Sequence, residues 1–226
     1  RRLILLRGRT SVDLIVALMA ALVGRHPVIV APPHRAGHAD DLFDVYDPDI
    51  VIDTDVEGRR VTVRRDRSGH DLHPDLALLL STSGSTGSPK LVRLTHTGLR
   101  SNAAAIATYL NLTPSDRGIL TLPLHYCYGL SVLTSHLYAG AAAIVTDWSV
   151  LDPCLWDLAR THRATGLAGV PHTFDQLDQL GFPEVPSLRY VTAAGGKLAP
   201  ERVTHYLGLG RSRGWDFYVM YGQTEA

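Results

Sequence analysis

Short apolar runs alternate with amphipathic stretches along most of this chain, and this alternation restricts the fold more than any other feature. The runs Val28–Ala31 and Leu76–Leu80 are brief, wholly apolar and bounded by polar or turn residues, which is typical of buried strands. The stretch Thr97–Leu110 instead repeats its apolar residues at helical spacing. Strands separated by helices predict an α/β fold with mostly parallel sheets flanked by helices.

The turn-rich segment Thr113–Asp116 divides this pattern into two similar halves. We therefore expect two α/β lobes, with residues 1–112 in the first and 117–226 in the second. Ser11 is expected to cap a helix that runs to Val23, and Leu130–Tyr138 to form a helix in the second lobe. The strands predicted for the second lobe are Ile119–Leu122, Ala142–Val145, Gly166–Ala168, Arg189–Thr192 and Phe217–Met220.

The charge balance narrows the choice of partners. Lys plus Arg and Asp plus Glu both number 22, and a neutral chain argues against a nucleic-acid partner or an anionic membrane surface. The longest apolar run, Leu14–Val23, is too short for the roughly 20 residues that a membrane-spanning helix needs. Two cysteines make no disulfide framework, which favours a reducing compartment and therefore the cytoplasm.

A run of small and hydroxyl residues, Ser81–Lys90, follows a predicted buried strand directly. Glycines there allow backbone amides to converge on an anion, the hydroxyls add donors, and Lys90 adds a positive charge. A polyphosphate is the ligand that this chemistry favours. The run differs from the Walker A pattern because Pro89 precedes the lysine and Leu91 follows it. A polar linker is the alternative interpretation.

Three further segments also follow predicted strands, where ligands gather in open α/β sheets. Thr192–Lys197 contains a glycine pair that would let a flat ring lie against the backbone. Tyr221–Glu225 combines an aromatic ring, a glycine, a hydroxyl and a carboxylate, and a carboxylate beside phosphates is a common Mg²⁺ ligand. Leu122–Gly129 carries aromatic and imidazole groups suited to a pocket wall. Each of these also fits an ordinary turn when it is taken alone.

With these four segments in this order, the chain resembles the adenylate-forming superfamily. That superfamily includes acyl-CoA synthetases, fatty-acyl-AMP ligases, luciferases and the adenylation domains of peptide synthetases. Thr82–Lys90 matches its phosphate loop, and Tyr221–Glu225 matches its aromatic-Gly-x-Thr-Glu motif. The likeness is greatest to bacterial acyl-CoA synthetases and acyl-AMP ligases. It implies a large N-terminal domain layered α-β-α-β-α, followed by a C-terminal domain that is absent from this chain.

The resemblance implies a role for each matched position. The residues that would hold the β- and γ-phosphates are Thr82, Ser83, Gly84, Ser85, Thr86, Gly87 and Lys90. The residues that would border the acyl pocket are His125, Tyr126, Gly169, Val170 and Gly196. Those that would frame the adenine are Gly195, Gly196 and Tyr221, with Gly222 as a close-approach glycine. Thr224 would contact the α-phosphate and Glu225 would hold Mg²⁺, so that these two and Lys90 form the catalytic set.

Two positions depart from the family pattern. Leu91 stands where glycine is usual after the Pro-Lys pair, which should alter the exit of the loop and leave its phosphate contacts intact. The pocket histidine of the family falls one place later than His125, where this chain has Tyr126. The role of His125 is therefore open.

The resemblance implies that a carboxylic acid and ATP give acyl-AMP and pyrophosphate, followed by transfer of the acyl group to a thiol. That thiol would belong to coenzyme A or to the phosphopantetheine of a carrier protein. Relatives that activate α-amino acids carry an aspartate near the position of Cys127, so the cysteine favours a fatty or related acid without an α-ammonium group. The ribose-binding aspartate and catalytic lysine of the family lie downstream, and we expect the chain alone to bind ligands but to adenylate poorly.

Three alternatives stay open at this point. The same loops could serve an enzyme that adenylates an amino acid, or one that transfers a phosphoryl group or hydrolyses ATP. They could also belong to a non-catalytic module that binds acyl groups or nucleotides.

Overall fold

The computed structural model describes residues 1–33, 41–56, 58–81 and 90–225, and the chain groups into two compact units. The first unit takes Arg1–Leu99, Pro123–Cys127 and the last residues from Thr224. The second unit takes Arg100–Leu122 and Tyr128–Gln223. This grouping divides the chain before the boundary expected at 113–116, and the domain limits drawn from the sequence stay a prediction.

Strands and helices alternate through both units, as the sequence pattern predicts. The elements up to residue 109 are β1 (Ile4–Arg7), α1 (Val12–Val23), β2 (Val28–Ala31), α2 (Asp41–Tyr46), β3 (Ile50–Val56), β4 (Gly58–Val63), β5 (Leu76–Ser81), β6 (Leu91–Thr95) and α3 (His96–Tyr109). The later elements are β7 (Arg117–Leu120), α4 (Cys127–Tyr138), β8 (Ala142–Val145), α5 (Pro153–Thr161), β9 (Gly166–Gly169), α6 (Pro171–Leu180), β10 (Tyr190–Ala193), α7 (Pro200–Arg213) and β11 (Asp216–Val219).

The strands described in the first unit form one sheet in the order β4-β3-β1-β2-β5-β6. Its four central strands are parallel, and both edge strands run antiparallel to their neighbours. The central strands are buried on both faces because helices cover both. Leu5, Ile29 and Val51 of the strands cluster with Phe43 of α2. Helix α1 packs against β1, β2 and β3. Ser11 caps α1 as predicted, since its Oγ accepts a hydrogen bond from Leu14 N at 3.1 Å.

The strands described in the second unit form a fully parallel sheet in the order β11-β10-β9-β7-β8. One face carries a core in which residues of α5, α6 and α7 surround Ile119, Leu167 and Val191. Residues 118, 166, 190 and 192 point to the opposite face, because side chains alternate along a strand. The chain passes from β7 to β8 on one side and then back across β7 to β9. This reversal makes the carboxyl ends of β7 and β9 a topological switch point, where α/β folds bind ligands.

The predicted fold class is confirmed: two mostly parallel sheets, each flanked by helices. Two details of the expected elements were wrong. The strand β1 was not predicted, because its short apolar run lies between arginines close to the first residue. Helix α4 begins at Cys127 and not at Leu130, so Tyr128 and Gly129 belong to its first turn and not to the preceding loop.

Every described helix is too short or too polar to cross a bilayer.

Candidate functional site

The predicted phosphate loop connects two strands that pair antiparallel. β5 is buried up to Leu80, and its last residue, Ser81, lies opposite Leu91 at the start of β6. Lys90 immediately precedes β6 and is exposed. The other six residues expected to hold the phosphates are Thr82, Ser83, Gly84, Ser85, Thr86 and Gly87, and they lie outside the described residues. The described part of the structure therefore fixes only the two strand ends that carry this loop.

The carboxyl ends of three neighbouring strands of the second unit, β9, β10 and β11, lie side by side at one edge of its sheet. Ala194 N donates to the carbonyl oxygen of Gly169 at 3.2 Å, and Met220 N donates to that of Ala193 at 2.8 Å. These bonds extend the pairing of β9, β10 and β11 beyond the last strand residues. The predicted positions at or just after these strand ends are Gly169–Val170, Gly195–Gly196 and Tyr221–Gly222, and they are thereby neighbours at that edge.

Two glycines at this edge occupy positions where a side chain would be strained or crowded. Gly195 has φ +81°, in the left-handed region that favours glycine. A Cβ on Gly196 would lie 3.0 Å from Cγ of Pro171, so the backbone passes close to the start of α6. Tyr221 is 92 % exposed, and its ring is available to a ligand. A flat ring could therefore lie between an exposed aromatic side chain and bare backbone.

The remaining predicted residues belong to the first unit. His125 and Tyr126 lie in the turn between β7 and α4, and both are partly buried. Burial lowers the pKa of His125, so the ring is neutral near pH 7. Burial, followed by the nearby Cys127 sulfur, raises the pKa of the Tyr126 hydroxyl. Cys127 carries a free thiol.

Thr224 and Glu225 also belong to the first unit, Thr224 partly buried and Glu225 exposed. Within the described residues no ion pair involves the Glu225 carboxylate. Carboxylate oxygens are the protein ligands that Mg²⁺ prefers, so this residue type and exposure fit a magnesium ligand.

A narrow cavity inside the second unit was not predicted from the sequence. It lies between the sheet face opposite the α5–α7 core and the helices α3 and α4, and about 20 Å³ of it can hold the centre of a water molecule. Its lining includes Ile106 and Leu110 of α3, Tyr128, Ser131, Val132, Ser135 and His136 of α4, and Ala168, Tyr190, Thr192 and Met220 from the sheet side. The sequence signal that could have indicated it was the helical spacing of residues 128, 131, 132, 135 and 136, which places them on one face of α4. The strand residues that this face contacts depend on the strand register, which the sequence does not show.

Two hydrogen-bonded pairs span this cavity. Near the carboxyl ends of the strands, the Tyr128 hydroxyl lies 2.6 Å from the Thr192 hydroxyl. At the other end, His136 Nε2 lies 2.7 Å from the Tyr190 hydroxyl. Burial lowers the pKa of His136 and raises that of Tyr190, so both groups are neutral near pH 7. The cavity is therefore polar at both ends but uncharged.

Comparison with known proteins gives the family. Residues 44–226 match the family described as AMP-binding enzyme. The medium-chain fatty-acid–CoA ligase of Escherichia coli is 31% identical over 155 residues, which are 67% of this chain and 27% of that protein. The oxalate–CoA ligase of Arabidopsis thaliana is 33% identical over 196 residues, which are 83% of this chain and 35% of that protein.

A linear gramicidin synthase of Brevibacillus parabrevis is 28% identical over 193 residues, which are 85% of this chain and 4% of that protein. This chain thus spans about a third or less of these relatives. Among solved structures, apo MatB from Rhodopseudomonas palustris superposes with a TM-score of 0.79 at 21% identity, over 99% of this chain and 50% of that one. That likeness bears out the fold, and the match over residues 44–226 shows that the chain belongs to the AMP-binding enzyme family.

Proposed function

We propose that this chain binds ATP and a carboxylic acid within an enzyme that joins them into acyl-AMP, releases pyrophosphate and passes the acyl group to a thiol. The observation that carries the proposal is the meeting of Gly169–Val170, Gly195–Gly196 and Tyr221–Gly222 at one sheet edge, directly above a cavity. Such an edge beside a topological switch point suits a ligand with one polar and one buried end.

Binding of the nucleotide is supported by the exposed Tyr221 ring and by the backbone at Gly196, which passes close to Pro171. Together they suit an adenine. The hydroxyl and glycine run that ends at Lys90, the more N-terminal of the chain's two lysines, suits the terminal phosphates of the same nucleotide. The roles of the individual loop residues remain part of the proposal.

Binding of the acid is supported by the position of the cavity and by the residues that line it. Ala168 and Thr192 line it, and each lies one residue before the sheet edge. A carboxyl group at that edge would direct its chain under α4. No carboxylate side chain is among the described residues that line the cavity, so an α-ammonium group would be buried there without a negatively charged partner. This supports an acid without an α-amino group.

The chemistry needs no general base, because a carboxylate is already ionised near pH 7. Catalysis then depends on holding the carboxylate in line with the α-phosphorus and on neutralising the charge of the departing pyrophosphate. Lys90 and Thr224 would act on the phosphates. Glu225 would hold Mg²⁺, which supplies positive charge to the phosphate oxygens when it is bound.

The names of the relatives support two classes of acceptor for this proposal. Two of them are named as CoA ligases, which supports the thiol of coenzyme A. The likeness to a gramicidin synthase supports a carrier-bound thiol as the alternative. A fatty or related acid remains the proposed substrate class.

The test is calorimetry with non-hydrolysable acyl-adenylate analogues in which a sulfamate replaces the phosphate. We expect the butyryl analogue to bind more tightly than AMP, because it fills both the nucleotide and the acyl end. We expect the matched 2-aminobutyryl analogue, which differs only by its ammonium group, to bind at least about tenfold more weakly, equivalent to about 1.4 kcal/mol.

Two results would contradict the proposal. Tighter binding of the amino analogue would favour amino-acid adenylation. Failure of both analogues to bind, with ATP still bound, would favour a phosphoryl-transfer enzyme, and ADP as the product of turnover would support the same conclusion.

A further inference from the structure

The end of the cavity farthest from the candidate site is closed by two rings that cross the sheet. The register pairs Gly118 of β7 with Gly166 of β9, and Gly166 with Tyr190 of β10. Tyr190 extends from β10 over Gly166, and His136 of α4 lies over Gly118. His136 Nε2 lies 2.7 Å from the Tyr190 hydroxyl oxygen. His136 is 2 % exposed and Tyr190 is 3 % exposed. We refer to this pair as the cavity floor.

The floor depends on the two glycines beneath it. A Cβ on Gly118 would overlap the imidazole of His136, and a Cβ on Gly166 would overlap the Tyr190 hydroxyl. Only a residue without a side chain leaves room for either ring at these positions. The rings therefore fill space that side chains of the sheet would otherwise occupy.

Hydrogen bonding fixes the orientation of the floor. His136 Nδ1 lies 2.7 Å from the carbonyl oxygen of Val132, which can only accept, so Nδ1 carries the proton. Nε2 of the neutral ring is then an acceptor, and the Tyr190 hydroxyl donates to it. The donor hydrogens of both side chains are thus used inside the protein. A ligand entering from the sheet edge would have to break a buried hydrogen bond to pass.

We infer that the His136–Tyr190 floor is a length stop that restricts this site to acids with a short acyl chain. The inference rests on the proposed function and adds the substrate class. The floor lies three residues below the sheet edge, from Ala193 back to Tyr190, which is about 10 Å of strand. The volume open to water centres is only about 20 Å³. A short acyl chain that reaches as far as the Tyr128–Thr192 pair ends above the floor, whereas a long alkyl chain has no room unless the floor is removed.

The experiment measures the affinity of this chain for acetyl, butyryl, octanoyl and dodecanoyl sulfamoyl-adenosine. The unsubstituted chain should bind the acetyl and butyryl analogues and lose at least about tenfold in affinity at octanoyl. His136→Ala removes the ring over Gly118 and should raise the octanoyl affinity about tenfold relative to the butyryl affinity. Leu155→Ala is the matched control, because Leu155 of α5 is fully buried in the core that covers the opposite face of the same sheet.

The outcomes separate the two proposals. Equal affinity of the unsubstituted chain for butyryl and octanoyl analogues overturns the length stop and leaves the proposed function standing. An unchanged ratio in folded His136→Ala, or the same shift in Leu155→Ala, also overturns it. If no analogue of any length binds, the proposed function fails and the length stop with it. Should His136→Ala not fold, His136→Asn gives the same comparison with a polar side chain that is shorter than histidine.

Discussion

Single glycines in the second unit decide how its sheet meets α4. Gly118 lies under the His136 imidazole, and any side chain at this position would have to displace a ring that is held by two hydrogen bonds. Glycine is thus needed at this position for a close approach and not for a special backbone angle. Gly208 in α7 is the opposite case, since a Cβ there would meet nothing within 4 Å.

We predict that Gly118→Ala lowers the free energy of unfolding by about 1–3 kcal/mol, because it overpacks a buried site. Gly208→Ala should raise it by about 0.5–1 kcal/mol, because alanine loses less conformational freedom in a helix. Urea denaturation of both variants checks the pair. A neutral Gly118→Ala would mean that His136 can move at little cost.

The buried imidazole of His136 also predicts a pH dependence of stability. Burial lowers its pKa in the folded state below the value of about 6.5 expected in the unfolded chain. The unfolded state therefore binds more protons as the pH falls below that value, and stability is lost in the same range. His136→Gln should lose less free energy of unfolding between about pH 7.5 and pH 5.5 than the unsubstituted chain does. Equal losses would show that His136 does not titrate in this way; His125 and His96, whose pKa values burial also lowers, would then carry the dependence.

At the scale of elements, one carboxylate joins the beginnings of three parallel strands. Asp116 precedes β7 and is 2 % exposed, and it accepts hydrogen bonds from Thr165 Oγ1 at 2.8 Å and Arg189 Nε at 3.0 Å. Thr165 and Arg189 directly precede β9 and β10. Burial alone would raise the pKa of Asp116, but the hydrogen bonds from Arg189, Thr113 and Thr165 outweigh it and lower the pKa.

We predict that Asp116→Ala lowers the free energy of unfolding by about 2–3 kcal/mol, because it removes the buried carboxylate that accepts hydrogen bonds from Thr113, Thr165 and Arg189. Asp157→Ala removes an exposed carboxylate that pairs with Arg160, and should change stability by less than about 0.5 kcal/mol. Because the folded pKa is lowered, the stabilisation by Asp116 is present above the unfolded value and is lost as the pH falls below it. A cost for Asp116→Ala as small as that for Asp157→Ala would refute this role.

The types of the elements could be predicted from the sequence, whereas the side-chain pairs that line the cavity could not. The strands of the second unit were expected within a few residues of where they lie, because each is a short apolar run between turn residues. The start of α4 was misplaced because Tyr128 and Gly129 follow a turn that contains Pro123 and resemble a loop. The pairing of His136 with Tyr190 depends on register across three strands, and residues 54 positions apart carry no local signal of contact.

At the scale of the whole molecule, we propose that two segments far apart in sequence bind one nucleotide. Residues 82–90 follow β5 of the first unit, and Tyr221–Gly222 follow β11 of the second. The family could be recognised from the sequence because Thr82–Lys90 and Tyr221–Glu225 resemble its motifs. The contribution of each unit to binding ATP is a proposal that solution measurements can decide.

The most direct measurement is a calorimetric titration of this chain with ATP and Mg²⁺, repeated for Lys90→Ala, Tyr221→Ala and the control Arg93→Ala. Arg93 is an exposed cation on β6 with no proposed role, so its loss controls for charge alone. We predict one ATP per chain, a loss of affinity of about tenfold or more in each of Lys90→Ala and Tyr221→Ala, and no such loss in Arg93→Ala. Full affinity in either Lys90→Ala or Tyr221→Ala would contradict the claim that both segments bind the same ATP.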